Sequence, residues 1–357
     1  MWRYNKGEWS EIYTFAYLLS TGVLYSADKD LNIIEEIYFP VLKIIREETE
    51  GSPIDYHTSD IIKIYRGEEL LQEVPKQRFI DITRELLEKI PQGSRAFEIP
   101  TAEEFFNSIY CEKVKENANK KEDITVQLQD IHTGISPVCG FSIKSYLGAR
   151  PTLINPGTNT NFVFELQNCN DEIMEVVNNI NSRTKLKDRI KELVDRGCEI
   201  IPIEHSISSQ FEENLQFVDT KMPELLQLLV MYSYLYDITS VVDVVNKLKE
   251  INPIGYSNTE IYTYKIKKLL CAFALGLTPE RNDWLGAEDA NGGYITVKSD
   301  GSVVCYHLYN RTEFENYLYE YTYFERPSTG KYHYMNVYND GGIYKIKLCM
   351  QVRFRDC

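Results

Sequence analysis

Apolar positions near the N-terminus recur with a helical period. Four of them, three or four residues apart as on one buried helix face, are Trp9, Ile12, Ala16 and Leu19. A similar period recurs from Asp28 to Glu48 and from Gln77 to Ile90. The pattern predicts a mostly helical first third.

Strand-like patterns begin near residue 124. Three segments alternate or run apolar over strand lengths, with Gly, Pro, Asn and Thr turn residues between them. They are ITVQLQD (124–130), VCGFSIKS (138–145) and NFVFELQN (161–168). We expect them to form three strands of one sheet.

The remainder of the chain is predicted to be helical first and strand-rich afterwards. Helical patterns occupy residues 183–196, 224–236, 240–250 and 260–275. Beyond Asn291 the segments GGYITVKSDGSVVCYHLY and GGIYKIKLCMQVRF are strand-like, and SDGS is a hairpin-turn signal.

These elements predict an α/β (α+β) fold with a mixed central sheet flanked by helices. We expect three consecutive regions, because the predicted elements change along the chain. They are a catalytic core (1–210), a helical region (211–290) and a β-rich C-terminal region (291–357).

The composition, 43% apolar and 26% charged, is that of an ordinary globular protein. The N-terminus lacks a basic-then-apolar leader, and no apolar run is long enough to span a bilayer, so we expect a cytoplasmic protein without a membrane partner. Eight cysteines never form a C-x-x-C pair, which favours reduced, packed thiols over zinc ligands.

The net charge of −14 argues against a protein that coats nucleic acid nonspecifically. However, the stretch from Arg326 to Arg355 carries six basic residues and one acidic residue, Asp340. Such a local basic face can meet phosphate groups. From charge alone, a solvated strand surface is the better explanation of this stretch.

Polar side chains share one face of the predicted strands. Ser142 and Lys144 point together, because strand side chains two apart lie on one face. The same holds for Glu165 and Gln167. Neighbouring strands would then present Lys144 and Glu165 at one point, and Asp130, at the end of the preceding strand, would join them through a bend.

Carboxylates beside a lysine suit a hydrated magnesium ion. Mg²⁺ prefers a few carboxylates, several waters and substrate phosphate oxygens. Asp130 and Glu165 are therefore candidate metal ligands, and Lys144 would orient the attacking water. The alternative is an ordinary salt bridge between Lys144 and one acid.

In the opening helix, Glu8 and Glu11 lie on one face. Acidic residues in the first turn also stabilise a helix without any further role, and this explains Glu8 better than Glu11.

These residues resemble the motifs of the PD-(D/E)xK nuclease superfamily. The correspondence comprises Lys6-Gly7 with Glu11, then Asp130, then Ser142-Ile143-Lys144. Many members have an acid where this chain has Ser142. One branch, whose restriction enzymes read CCGG cores, has S-x-K and recruits a glutamate from further along the chain. By that resemblance Glu165 is the recruited acid, with Glu11 as a further ligand and Ser142, Gln167 and Glu8 in support.

A longer resemblance covers nearly the whole chain. NKGEWSEIYTF, LYSADKDL, GFSIKSYLGARPTLINPGTNTNF and GGYITVKSDGSVVCYHLYNRTEFENYL are similar to segments of the HpaII-type restriction endonuclease family. The resemblance implies a PD-(D/E)xK core and a type II enzyme that cuts double-stranded DNA at a short palindrome, CCGG being the expected site, with Mg²⁺. A palindrome suggests a homodimer, although some enzymes cut such sites as monomers.

Base recognition favours Arg or Lys on guanine and Glu, Asp or main chain on cytosine. The candidate DNA contacts are Arg150, Thr152, Asn155, Asn310, Arg311, Arg326, Lys331 and His333. Each alone is more often a surface polar residue. Lys185, Lys187, Arg189 and Lys191 are candidates for phosphate contact, although an exposed charged helix needs no such purpose.

Two other functions fit the same residues. A repair or junction-resolving nuclease would have the same active site but would recognise DNA shape. A non-cleaving DNA-binding protein would have lost the reaction, which the filled catalytic positions disfavour.

Overall fold

The computed structural model describes residues 1–114, 122–131, 133–307 and 311–356. Its contacts divide the chain into two compact units. Unit 1 comprises Met1–Pro151, Glu288–Tyr317 and Asp356–Cys357, and unit 2 comprises Thr152–Ala287 and Leu318–Arg355. Strands and helices are numbered along the whole chain.

Unit 1 is built on a nine-stranded mixed sheet. Its strands are β1 (Val23–Ala27), β2 (Ile33–Thr49), β3 (Ser52–His57), β4 (Ile61–Arg66), β5 (Glu69–Pro75), β6 (Ile124–Leu128), β7 (Val138–Ser145), β11 (Gly293–Val297) and β12 (Val303–His307). The order is β1-β12-β11-β7-β6-β2-β3-β4-β5. The strand β7 lies inside the sheet and pairs antiparallel with β6 and parallel with β11.

Helices cover this sheet. They are α1 (Lys6–Thr21), α2 (Lys76–Lys89), α3 (Pro100–Ser108) and the start of α10 (Arg311–Tyr321). The helix α1 begins with a capping box between Asn5 and Glu8 and ends at Gly22, whose φ of 74° is left-handed. Its apolar side chains are buried in the core of unit 1, as the helical spacing predicted.

Unit 2 contains two smaller sheets. Their strands are β8 (Thr152–Ile154), β9 (Asn161–Gln167), β10 (Glu199–Pro202), β13 (Thr322–Phe324), β14 (Val337–Asp340), β15 (Ile343–Cys349) and β16 (Val352–Phe354). The orders are β10-β9-β15-β14 and β13-β16-β8. The helices are α4 (Asp171–Asn179), α5 (Lys185–Asp195), α6 (Ser209–Val218), α7 (Met222–Leu235), α8 (Val241–Ile251), α9 (Glu260–Leu275) and α11 (Thr329–Tyr332).

The predicted mixed α/β class is confirmed, but the predicted helix over 28–48 is wrong. That segment is β2, and its buried side chains are Phe39, Val41, Ile44 and Arg46. A register shift between Val41 and Lys43 breaks the two-residue alternation. The resulting spacing imitates a helical period, and the first third contributes five strands to the sheet.

The predicted division into three consecutive regions also differs from the structure. The strands β11 and β12, expected in a separate C-terminal region, pair with β7 and β1 of unit 1. The strand β9, expected beside β7, lies in a sheet of unit 2. Sheet pairing joins segments far apart in sequence, so changes of element type along the chain did not locate the boundaries.

Two general features accompany this fold. No helix in the described part of the chain is long and apolar enough to cross a membrane. None of the seven described cysteines is in a disulfide, and six are buried.

Candidate active site

The hairpin of β6 and β7 fixes which residues meet. Ile124 lies opposite Phe141, and Gln127 lies opposite Val138. The two strands are antiparallel, so the start of β6 lies beside the end of β7. Asp123, which precedes β6, is therefore a neighbour of Ser142.

Asp123 is held by the end of β7. Its Oδ2 accepts a hydrogen bond from Ser142 Oγ at 3.2 Å and from the amide of Ile143 at 2.7 Å. The amide of Asp123 donates to the carbonyl of Phe141 at 2.8 Å. Its Oδ1 accepts no hydrogen bond from the described residues. One carboxylate oxygen thus fixes the side chain while the other remains available for a ligand.

Lys144 lies on the same strand face as Ser142 and is half-buried. Its amine makes no hydrogen bond or ion pair with any described residue, so the salt bridge considered from the sequence is not present there. The amine lies 5.8 Å from the ring centroid of Tyr294. An aromatic face attracts an ammonium without forming an ion pair with it, so the contact with Tyr294 leaves the Lys144 amine available to a substrate.

A buried aromatic cluster supports this side of the sheet. Tyr294 pairs with Ser142 across β11 and β7, and its ring centroid lies 5.4 Å from that of Phe314 on α10. Tyr306 stacks on Tyr317 at 4.6 Å. Burial raises the pKa of Tyr294 well above its usual value. The ring beneath Lys144 therefore stays neutral over the physiological pH range.

The helix α1 places Glu11 at the same end of β7. Its neighbour Ser10 lies with its hydroxyl 2.8 Å from that of Ser145, the residue after Lys144. Glu8 instead accepts a 2.8 Å hydrogen bond from the amide of Asn5 in the capping box. The explanation of Glu8 as helix chemistry is confirmed, and Glu11 is the acid of this helix that remains a candidate ligand.

The predicted convergence of Asp130 with Lys144 is wrong. Asp130 lies at the turn of the hairpin, where its amide donates to the carbonyl of Ile135. From Val138 to Lys144 alone, β7 extends about 20 Å away from that turn. The carboxylate of Asp130 accepts hydrogen bonds from the amide and hydroxyl of Thr133, at 3.2 and 2.7 Å. It therefore stabilises the turn.

The prediction that Glu165 and Gln167 neighbour Lys144 across adjacent strands is also wrong. The neighbours of β9 are β10 and β15, where Glu165 lies opposite Ile201 and Lys345. The alternating pattern of β9 identified a strand correctly but carried no information on its partners.

Two of the candidate DNA contacts are paired with acids in unit 1. Arg150 forms a bidentate ion pair with Asp356. Arg311 pairs with Glu288 at 2.8 Å and with Glu315 at 3.3 Å.

The remaining candidates are in unit 2, except Asn310, which lies outside the described residues. Thr152 begins β8, and Asn155 is exposed just after that strand. Lys331 and His333 are exposed at the end of α11. Arg326 donates to the carbonyl of Ser233 at 2.7 Å.

Arg189 of the basic helix α5 is a structural residue. It is buried and donates to the carbonyls of Asn178, Ile180 and Met335. Lys187 and Lys191 on the same helix are exposed and pair with Asp237 and Asp195.

The sequence reasoning missed Asp123, and the hairpin itself holds the signal that would have found it. Two antiparallel strands joined by one turn bring together the residues furthest from the turn. Counting outward from the turn pairs Asp123 with Ser142, nineteen positions along the chain.

The donor set at this end of β7 suits a hydrated magnesium ion. Asp123 has an oxygen that accepts no hydrogen bond from the described residues, and Glu11 lies on the helix that adjoins the same strand end. The described residues contain no group of three or more His, Cys, Asp or Glu side chains that could hold a metal. Mg²⁺ needs no such cage, because waters and phosphate oxygens complete its shell.

Comparison with known proteins gives the class of the molecule. The model of the family described as HpaII restriction endonuclease matches residues 5–354. The type II restriction enzyme HpaII of Haemophilus parainfluenzae is 37% identical over 360 residues, which cover 98% of this chain and 98% of that protein. No solved structure matches. Similarity of this extent defines a type II restriction endonuclease. The chain belongs to the HpaII restriction endonuclease family.

Proposed function

We propose that this enzyme hydrolyses both strands of duplex DNA at a short palindrome, CCGG, with Mg²⁺ as cofactor. The choice of CCGG as the recognition sequence is based on the S-x-K motif and on the 37% identity with HpaII. We further propose that the hairpin of β6 and β7, with α1, forms a PD-(D/E)xK core. The observation that carries the proposal is the grouping of Asp123, Ser142 and Lys144 at one end of that hairpin.

Each of these side chains has a distinct role in the proposed reaction. Asp123 and Glu11 would hold the magnesium ion. That ion supplies charge neutralisation at the phosphate and lowers the pKa of a bound water. Ser142 keeps the Asp123 carboxylate in place through its 3.2 Å hydrogen bond. The ammonium of Lys144 orients the attacking water and stabilises the negative charge that develops on the phosphate oxygens.

A palindrome also bears on assembly. It presents the same phosphodiester twice, related by a two-fold axis, so a homodimer would place one centre on each strand. We place the reaction in the cytoplasm, where intracellular DNA is encountered.

Plasmid digestion tests this function. Two plasmids are compared that differ by one base pair, so that one contains a single CCGG and the other has none. Linearisation of the first alone, with fragment ends that map inside CCGG, is the expected result. Cleavage of both plasmids without site-dependent fragments, or only of cruciform DNA, would indicate a structure-selective nuclease, and discrete fragments from both would indicate a recognition sequence other than CCGG. Binding without any cleavage in Mg²⁺ would indicate a non-cleaving protein.

A further inference from the structure

Unit 2 contains a basic groove that the proposed reaction does not use. Its volume is about 210 Å³, and its charged and aromatic lining residues are Arg183, Lys187, Tyr234, Asp237 and Arg326. Three cations face one carboxylate there. In a protein with a net charge of −14, such a local excess of positive charge is a feature that requires an explanation.

Arg326 is anchored without being neutralised. Its Nη2 donates to the carbonyl and hydroxyl of Ser233, at 2.7 and 2.8 Å, and its guanidinium lies 3.9 Å from the ring centroid of Tyr234. Tyr234 is itself fixed, because its buried hydroxyl donates to the carbonyl of Cys349. Nε and Nη1 of Arg326 bond to no other described residue. The side chain is therefore rigid and keeps donors and charge for a ligand.

The other two cations are held more loosely. Lys187 pairs with Asp237 at 2.8 Å, but the two side chains are 60% and 49% exposed, so solvent screens the pair strongly. Arg183 is exposed just before α5 and makes no ion pair with a described residue. An arriving anion can recruit both at little cost in broken contacts.

We propose that this groove binds a phosphate of the DNA backbone, as a contact separate from the centre around Lys144. A phosphodiester carries one negative charge and two acceptor oxygens, which match the planar fork of an arginine. Contacts to phosphate position a duplex and carry no sequence information, so we expect the groove to affect the binding of all duplexes alike. This inference rests on the proposed function, because it takes duplex DNA as the ligand.

The helix α5 provides a matched pair of variants. Lys187 lines the groove and Lys191, one turn later, does not. Both are exposed and both pair with an aspartate, so K187Q and K191Q remove the same charge and leave a similar unpaired acid. R183Q with K187Q removes both exposed cations while leaving the anchored Arg326 intact.

The measurement is the salt dependence of duplex binding without Mg²⁺. Affinities of the wild type, K187Q, K191Q and R183Q/K187Q are determined between 50 and 200 mM KCl, on a CCGG duplex and on one lacking the site. We expect the double variant to bind both duplexes about three- to tenfold more weakly, with a log–log slope shallower by about 1. K191Q is expected to retain the wild-type slope.

Two results would contradict the proposal that the groove binds a DNA phosphate. The first is an unchanged slope for R183Q/K187Q, and the second is an equal change in K191Q, which would indicate general attraction to the helix. Thermal melting of each variant separates loss of binding from loss of folding. If the wild type cleaves CCGG and the double variant binds DNA normally, only the proposal of a phosphate site in the groove is rejected. If the wild type binds DNA but never cleaves it, only the proposed reaction is rejected.

Discussion

The carboxylate of Asp123 accepts hydrogen bonds from the Ser142 hydroxyl and the Ile143 amide, at 3.2 and 2.7 Å. These bonds join the start of one strand to the end of the next, beside Lys144. They leave the second carboxylate oxygen without a hydrogen bond from the described residues, in a position to bind a metal ion.

Asp123 precedes β6 and Asp130 follows it, so substitutions of these two aspartates compare the opposite ends of one strand. Asp123→Asn should lower the rate of cleavage at least about 100-fold, since an amide is a poor magnesium ligand and weakens charge stabilisation. Asp130→Asn should leave cleavage near the wild-type rate. It should cost about 1 kcal/mol of unfolding free energy, because the hydrogen bonds to Thr133 weaken.

Single-turnover cleavage of a CCGG duplex and urea unfolding measure both effects. A loss of cleavage in Asp130→Asn with full activity in Asp123→Asn would show instead that the metal site lies at the turn of the hairpin.

Removal of metal should stop the reaction without releasing the DNA. We expect EDTA to abolish cleavage and added Mg²⁺ to restore it, because the carboxylates alone cannot neutralise the charge that develops on the phosphate. Gel-shift assays in EDTA should still show duplex binding. Undiminished cleavage in EDTA would contradict the metal-dependent reaction.

Two buried threonines test the cost of a hydroxyl that lacks a partner. Thr296, which pairs with Lys144 across the sheet, is fully buried, and its Oγ1 has no hydrogen-bond partner among the described residues. Thr322 is equally buried and donates to the carbonyl of Leu318 at 2.6 Å. Thr296→Val should therefore raise the free energy of unfolding by about 1 kcal/mol, and Thr322→Val should lower it by about the same amount.

Chemical denaturation of both variants measures these changes. Destabilisation of similar size in the two would show that the Thr296 hydroxyl has a partner in solution, such as an ordered water.

The thiol of Cys169 gives a pH-dependent prediction. Burial, followed by the charge and hydrogen bond of the neighbouring Cys198, raises the pKa of Cys169 to about 12. The thiolate is the reactive form, so alkylation by iodoacetamide at pH 8 should be at least about tenfold slower than for a thiol of ordinary pKa, even though a more basic thiolate is the better nucleophile. The rate should rise steadily toward pH 11.

Mass spectrometry of the alkylated peptide follows this reaction, and Cys169→Ser provides the blank. Rapid labelling of Cys169 at pH 8 would contradict a raised pKa of this thiol.

The local elements could largely be predicted from the sequence, because they depend on spacing within one segment. The strand over 138–145 and the helix over 260–275 have the predicted bounds. The prediction of a helix over residues 28–48 was wrong for a physical reason. The bulge near Val41 changes the side-chain parity of β2, and a period of two then resembles a period of three to four.

The composition of the site depended on which strands pair, and this is not encoded in the pattern of one strand. Lys144 and Ser142 were identified because they share one strand. Glu165 was placed beside them only on the assumption that strands close in sequence are neighbours, whereas β7 pairs with β11, about 150 residues later. Asp123 was predictable in principle from the hairpin, since its partner follows from counting outward from the turn.

The measurement that tests the central claim most directly is cleavage and binding of a CCGG duplex by Lys144→Ala. Lys347→Ala is the matched control, because the Lys347 amine lies 5.7 Å from the ring of Tyr338, close to the 5.8 Å between Lys144 and Tyr294. We predict that Lys144→Ala binds the duplex normally in EDTA but cleaves it at least about 100-fold more slowly in Mg²⁺, while Lys347→Ala cleaves normally. Cleavage by Lys144→Ala at the wild-type rate would contradict the assignment of the active site to this end of the hairpin.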